Sequence, residues 1–481
     1  MAFGWLTVGG PAFAQGVELR GGIGSNDTAS IASEPRVETF DGLNEPQPTP
    51  PPIRTEDLDD GSNSRATSVG AIGLINPDGS ATRFSNNRIN PEQSGIPRSD
   101  DDPYAALGLR LGSFLLFPVL DQTLGYTNNA DLVAGGAASA FSQTQLGIAF
   151  QSDWTRHSLT GEINGSRRYF FNDSSETEDV ADGSATARFD LSSSTQLEFG
   201  GSYQRTEESF TSNDLDFEAG TTPVNRPGIH TATGSVELRR SGGMIAASLR
   251  GSIERNQFDA IQLQNGSSTS QDDRNNNELR LQAQVGLDGG RAIQPFIRGT
   301  IGKRVYDENL DGEGFERDAD IFALSVGTVV DLQDRLTGEV SVGYTREMFT
   351  DNRLDDLSGI VADAELTLTP DSLTSFTGRF SSELTPSTQP GDSGSLTYAG
   401  SLSASRRVRD NLTLSAEVSS TWEDFDSGRL DQTLQASASA EWSLNRFASV
   451  IARVGMERFE SNEPGASYEA ATGQIGLRLK R

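Results

Sequence analysis

Residues 307–318, DENLDGEGFERD, hold the densest set of groups able to do chemistry. Asp307, Asn309, Asp311 and Asp318 fall at places where oxygen ligands wrap a calcium ion, and Gly312 stands where such a loop bends sharply. The twelfth position is Asp rather than the longer Glu, and strand-like rather than helical patterns flank the segment, so an acidic loop connecting two strands outside the cell accounts for it more simply. Hydrolysis needs a base beside a nucleophile, and the chain offers only His157 and His230 as imidazoles. The first sits at a short turn and the second at the start of an alternating segment, which are places for surface histidines. Cysteine is absent, which excludes disulfides, thiolate chemistry and cysteine-held metals. No enzyme is expected and no cofactor is required; a divalent cation at outer loops is the one inorganic partner the acids allow.

The remaining chemistry lies in paired charges. Arg168, Arg188, Arg239, Arg250, Arg280, Arg298, Arg304, Arg379 and Arg453 occupy the polar faces of alternating segments, as do Glu162, Glu198, Glu237, Glu254, Glu339, Glu417 and Glu441. Gathered inside a closed sheet, such groups line a channel and order polar solutes in a transverse field. They can equally pair with one another and stiffen the wall. Of the 39 basic residues only Lys303 and Lys480 are lysine, so nearly every cation is a fixed guanidinium. With 68 acids the formal charge is −29, which argues against nucleic acid as a partner.

What positions these residues is a repeat of hairpins. In VGTVVDLQDRLTGEVSVGYT, residues 326–345, Leu336, Val340, Val342 and Tyr344 share one face of their arm while Thr337, Glu339, Ser341 and Thr345 share the other. The split recurs in Leu279, Leu281, Val285 and Leu287 against Arg280, Gln282 and Gln284. Eighteen arms can be drawn, from 118–127 to 468–480, each about the 9–11 residues of a tilted membrane strand or somewhat longer. Their connections alternate in length. Ser192-Ser193-Ser194, Asp288-Gly289-Gly290, Gln333-Asp334, Pro370-Asp371, Asp410-Asn411 and Asn445-Arg446 are tight turns, and between them lie long segments such as Thr211–Gly228 and Asp307–Asp318. Outer-membrane barrels sort their connections this way, with short periplasmic turns and long outer loops. Tyr169, Phe171, Tyr203, Tyr344 and Trp422 gather toward long-loop ends, and Trp154, Trp442 and Phe447 toward short-turn ends, as two lipid-interface girdles would.

Composition agrees. Only 34% of residues are hydrophobic and 51 are Gly, too little apolar material for several soluble cores but enough for a thin outer band around a polar inside. The longest Gly-free apolar run, Phe114 to Leu120, is too short for a membrane helix. Residues 1–14 end in Ala12-Phe13-Ala14, the back half of a secretory signal whose basic start lies upstream of Met1. Residues 15–105, with QPTPPPIRTEDLDDGSNS and DDDP, carry prolines and acids without periodicity and form a disordered periplasmic arm. The barrel occupies 106–481.

At 108–132, GLRLGSFLLFPVLDQTLGYTNNADL, the chain resembles the Gram-negative outer-membrane barrels of the beta-barrel porin 2 family, through Gly112-Ser113-Phe114, Pro118, and Tyr126 with Asn128 and Asn129. The resemblance extends loosely over 106–481. It implies a cell-envelope role linked to exopolysaccharide production, insertion by the barrel-assembly machinery, and contact with outer-membrane lipid and lipopolysaccharide. One departure is the terminus Gly476-Leu477-Arg478-Leu479-Lys480-Arg481, which lacks the final aromatic residue that this machinery reads in many barrels.

The sequence therefore predicts an all-β transmembrane antiparallel up-and-down barrel of about 18 strands (16–18). Its expected role is passive, porin-like diffusion of small hydrophilic solutes or saccharides. The alternative is an envelope barrel, its lumen plugged, whose acidic outer loops at Asn172–Asp179 and Asp214–Glu218 bind surface polysaccharide.

Overall fold

The computed structural model describes residues 103–481 apart from 173–176, 210–211, 213–225, 288–291, 333–334 and 390–391. Outside the described residues lie the signal remnant, most of the N-terminal arm, the turns Asp288-Gly289-Gly290 and Gln333-Asp334, the loop segment Asp214–Glu218 and part of Asn172–Asp179.

Eighteen long strands follow one another. They are β1 (Phe114–Thr127), β2 (Ser139–Ser152), β3 (His157–Phe170), β4 (Glu178–Ser192), β5 (Thr195–Glu207), β6 (Gly228–Gly242), β7 (Ile245–Phe258), β8 (Asn276–Leu287) and β9 (Ile293–Tyr306). The second half comprises β10 (Ala319–Asp331), β11 (Leu336–Phe349), β12 (Leu357–Asp371), β13 (Thr374–Pro386), β14 (Gly394–Arg409), β15 (Leu412–Phe425), β16 (Leu430–Ser443), β17 (Ala448–Ser461) and β18 (Tyr468–Lys480). Each pairs antiparallel with the next, and β18 returns to β1, so the sheet closes. Closure pairs the backbone groups that an open edge would leave in lipid.

The expected arms match these strands to within a few residues. Two differences have a local cause. β1 begins at Phe114 rather than at residue 118, because Pro118 does not interrupt it. The carbonyl of Pro118 accepts from the N–H of Arg481, so its missing N–H points toward β18 just where that ladder ends, at Val119 opposite Lys480. The turn read at Pro370-Asp371 sits two residues later, since a bulge between Leu368 and Asp371 carries β12 onward.

Register shows which face meets lipid. Opposite Val326 lies Val342 and opposite Leu324 lies Tyr344, while the alternate pairs are Ser325 with Gly343 and Gly327 with Ser341. Leu324 is 62% exposed and Val326 52%, yet Ser341 is 3% exposed. A soluble sandwich would bury the aliphatic face, so this inversion answers the question that alternation alone leaves open. Both girdles also face outward, with Tyr169, Tyr203, Tyr344 and Trp422 exposed toward one rim and Trp154, Trp442 and Phe447 toward the other. Gly338 in β11 has φ +149°, and a Cβ there would meet the carbonyl oxygen of Glu365 on β12, a close approach only glycine permits.

One ionic cluster joins the first strand to the last three. The Asp121 carboxylate on β1, 1% exposed, accepts from Arg478 Nε at 2.8 Å and Nη2 at 2.7 Å, and from Arg453 Nη2 at 3.1 Å. Arg478 also donates to Glu441 at 2.6 Å, which Lys480 and Ser449 reach at 2.9 Å. The charges are buried as a set, so each depends on the others being present.

Two outcomes test this architecture in lipid vesicles under denaturant. Val326→Arg, on the lipid face, costs about 2–4 kcal/mol, whereas Ser437→Arg, on the inner face opposite Glu417, costs far less; equal costs would contradict the face assignment. Asp121→Ala removes the carboxylate that two buried guanidinium groups share and costs about 3–5 kcal/mol, and a loss under 1 kcal/mol would show that the seam does not rely on it.

Candidate functional site

The inner wall is the surface where the charges predicted from sequence collect. Alternation places all sixteen of the predicted arginines and glutamates on the face opposite the exposed aliphatic side chains. What the sequence does not reveal is their partners, which are mostly neighbours along the wall rather than groups across it.

Between β4 and β7, Arg188 lies 3.5 Å from Asp190 and Arg239 3.0 Å from Glu237. Glu198 and Glu237 stand directly opposite each other in the ladder, and Glu237 in turn faces Arg250. Two like charges side by side repel, and the three arginines around them offset that repulsion. Arg250 also donates to Ser235 at 3.0 Å, and Glu254 accepts from Asn256 at 3.1 Å.

Across β8, β9 and β11 the pairing is tighter. Arg304, buried, bridges Glu278 at 2.7 Å and Glu347 at 2.6 Å. Arg280 shares Glu278. Nearer the middle of the wall, Arg298 joins Glu339, donates to Gln284 at 2.9 Å and lies 4.7 Å over the Phe296 ring. Arg168 on β3 pairs with Glu178 at 2.6 Å and lies 5.0 Å over Phe141. Arg453 and Glu441 belong to the closure cluster. Glu278, Glu347, Glu178 and Asp121 complete these sets and were missed by sequence reasoning, although the same alternation places each of them on the inner face.

Some charge stays in contact with water. Arg379 on β13 keeps 47% of its side chain exposed, with Glu365 on β12 exposed by 36% and 3.4 Å away. Glu162 is exposed on β3 beside the exposed Ser184 of β4, and Glu417 on β15 is half-buried. The wall therefore has tightly paired stretches and wetter ones on separate sides, with both signs of charge available to a solute.

At the long-loop end, loops pack on one another. Arg317, 2% exposed, pairs with Asp311 at 2.5 Å and donates to the carbonyls of Ser387, Asp392 (2.8 Å) and Gln389 (2.8 Å). It thereby ties 307–318 to 387–393. Beneath it, Ala319, Phe349, Leu354 and Leu357 form an apolar cluster with Phe315. A second clasp is Arg274, which donates to Glu208 at 2.8 and 2.9 Å and lies 4.1 Å over Phe258.

The residues of the calcium-like pattern are engaged separately. Asp307 pairs with Arg255, Asp311 holds Arg317 and the N–H groups of Glu313 and Phe315, and Asp318 accepts from the Tyr306 N–H at 2.8 Å. Among the described residues no three acidic or histidine side chains gather as a metal site would require. His157 Nδ1 accepts from the Asp190 N–H at 3.2 Å, and His230 lies between Tyr203 Oη (2.8 Å) and Asp259 (3.2 Å) on the outer face.

The loop acids carry a pH signature. A bidentate hydrogen bond from Arg255 holds Asp307 below the usual carboxylate range, and hydrogen bonds from Arg353 hold Asp351 far below it. Such groups stabilise the folded loops fully above the unfolded carboxylate value of about 3.9, and the contribution is lost as pH falls through the lowered folded values. Asp426 behaves oppositely, because burial and the nearby Asp392, Asp355 and Asp424 raise it, so acidification relieves strain there. Hydrogen-exchange protection over 307–318 and 350–356, taken relative to the intrinsic amide rate at each pH, should be unchanged between pH 7 and 5 and fall only below about pH 4; a loss of protection already at pH 6 would show that these pairs do not hold the loops.

No curated protein matches the chain. Among solved structures, a mutant form of the ferric enterobactin receptor of Pseudomonas aeruginosa overlays with TM-score 0.37 at 9% identity, covering 76% of this chain and 80% of that one. The siderophore receptor PirA of the same organism gives 0.36, 9%, 76% and 80%. An anion-selective porin from Comamonas acidovorans gives 0.33 at 10%, covering 77% of this chain and 99% of the porin. Overlaps this loose do not specify what a barrel binds or passes. The family model described as "Putative beta-barrel porin 2" matches residues 102–481, essentially the whole barrel, and the chain belongs to that family of outer-membrane barrels.

Proposed function

We propose that the barrel is a passive, non-catalytic outer-membrane pore for small hydrophilic solutes, saccharides included, driven by their gradient. The observation that carries this reading is that the inner wall stays wet at two places far apart around it, at Arg379 and Glu365 on β13 and β12 and at Glu162 on β3, inside a closed eighteen-stranded sheet. Barrels of this strand number leave an aqueous channel when loops do not fill them. On this reading the short turns and the segment 15–105 face the periplasm and the long loops face outward. Paired arginines and glutamates on the wall act by holding its width constant, and the exposed ones act on the solute. The exopolysaccharide role that the family resemblance implies would make saccharides one solute class.

A second reading draws on the loops. Residues 307–318 alone carry six acids and one arginine, and loops so charged can bridge to anionic surface polysaccharide through divalent cations, with no pore required. If deleting the acidic loops at 172–179 and 214–218 left polysaccharide retention by cells unchanged, this reading would fail.

The full chain in a planar bilayer separates the two. Steady open conductance steps are the expected result, and a folded but silent barrel would overturn the pore. Arg379→Glu should then move the reversal potential toward cation selectivity in a salt gradient. An unchanged potential would remove that sector from the solute path.

A further inference from the structure

The outer wall is not uniform. Over β8 to β11 its lipid-facing positions are mostly large, as in Leu279, Ile297, Leu324 and Val342, all close to half exposed or more. Over β4 the corresponding positions are Ala181, Gly183, Ala185 and Ala187, and the ladder sets Gly165 of β3 beside Ala181 and Gly201 of β5 beside Ala185. A trough results, with a cavity of about 550 Å³ between Leu146 and Val180. A Cβ added at Gly165 would meet nothing within 4 Å, and at Gly201 only one carbonyl oxygen at 3.9 Å. The backbone does not need these glycines; what they leave is space.

A second feature crosses the same face. On the lipid side of β1 and β2, Gln122 donates to Ser142 at 3.0 Å and accepts from Thr144 at 2.7 Å. One strand further, Arg167 makes two 2.6 Å bonds to Asp179, and Arg205 donates to the Asp179 carbonyl at 2.8 Å. Gln122 is eight residues into a fourteen-residue strand, so this polar row begins well inside the apolar band and rises toward the long-loop rim. Acyl chains offer such groups no hydrogen bonds, and their exposure to lipid is costly.

We infer that this face, centred on β4, is the contact between two copies of the chain. Small residues let two walls approach closely enough for dispersion to replace lipid packing, and polar groups gain partners there that lipid cannot supply. The charges settle the choice of occupant. Arg167 and Arg205 are accompanied by Asp179 and Glu207 on the same face, so the patch carries both signs and can oppose itself across a two-fold axis. An anionic lipid headgroup would instead have to displace Asp179 from Arg167. The trough lies about a quarter of the way round the wall from the β1–β18 seam and leaves the inner face untouched, so the inference does not depend on what the lumen passes.

The chain has no cysteine, which makes the test clean. Ala185→Cys in the trough should give an oxidant-induced disulfide dimer of the full chain in membranes, while Val326→Cys, on the lipid face of β10 six strands away, should not. Gly165→Leu combined with Gly201→Leu should convert the dimer to monomer in mild detergent. Gly299→Leu, also lipid-facing with open space over its Cβ, should leave it intact. If all variants are equally monomeric, or if both cysteines cross-link alike, the inference is wrong. A monomer that retains phospholipid, and releases it in the double leucine variant, would assign the trough to lipid instead. Heat-shifted gel mobility confirms that each variant is folded.

Discussion

Everything in this barrel follows from one constraint: a backbone amide in hydrocarbon must find its partner in the protein. Eighteen strands meet it locally, hairpin by hairpin, and the exception is the ladder between β1 and β18, whose partners are joined from opposite ends of the chain. There the fold adds ionic bonds to amide bonds. Asp121 and its two arginines sit on that seam, on the inner face, where burial makes the set cooperative. A closing step with such a high contact separation is entropically the most demanding of the fold, and directional side-chain bonds support it.

The same logic explains why the inner wall is so heavily paired. A channel needs polar groups facing inward, and each inward charge not in water needs a partner. Arg304 with Glu278 and Glu347 meets that need by bridging three strands, and Arg298 does so with an amide, a carboxylate and a ring. Charge density and wetness are thus different quantities here. Arg304 is among the most buried residues of the protein, and Arg379, identical in chemistry and face, is half in water.

How much of this was legible in the sequence depends on the distance over which the signal acts. Alternation acts at two residues, so the faces of Val340 and Glu339 could be read directly, and turn chemistry acts at three or four, so Asp410-Asn411 marked its hairpin. Pro370 misled because proline usually ends a strand, whereas here a bulge absorbs it. The inward direction of all sixteen charges was readable for the same reason as the faces. Their partners were not, because Arg317 meets Asp392 and Arg453 meets Asp121 across separations that no local pattern encodes. The calcium-like spacing at 307–318 shows the converse: oxygens at regular intervals in sequence were drawn to Arg255, Arg317 and the Tyr306 amide, three unrelated directions.

Leu109–Leu111 pair with Leu116, Leu115 and Phe114, the part of β1 that β18 does not reach. A closed sheet of unequal strands always leaves such a step at its rim, and a step is a row of free amides and carbonyls. The short segment caps it, so a passing extended chain that could add itself there as a nineteenth strand finds the place already taken by the protein's own. Strand addition is how many partners recognise a sheet edge; in this barrel, access to that edge is governed by whether three leucine-rich residues stay in place.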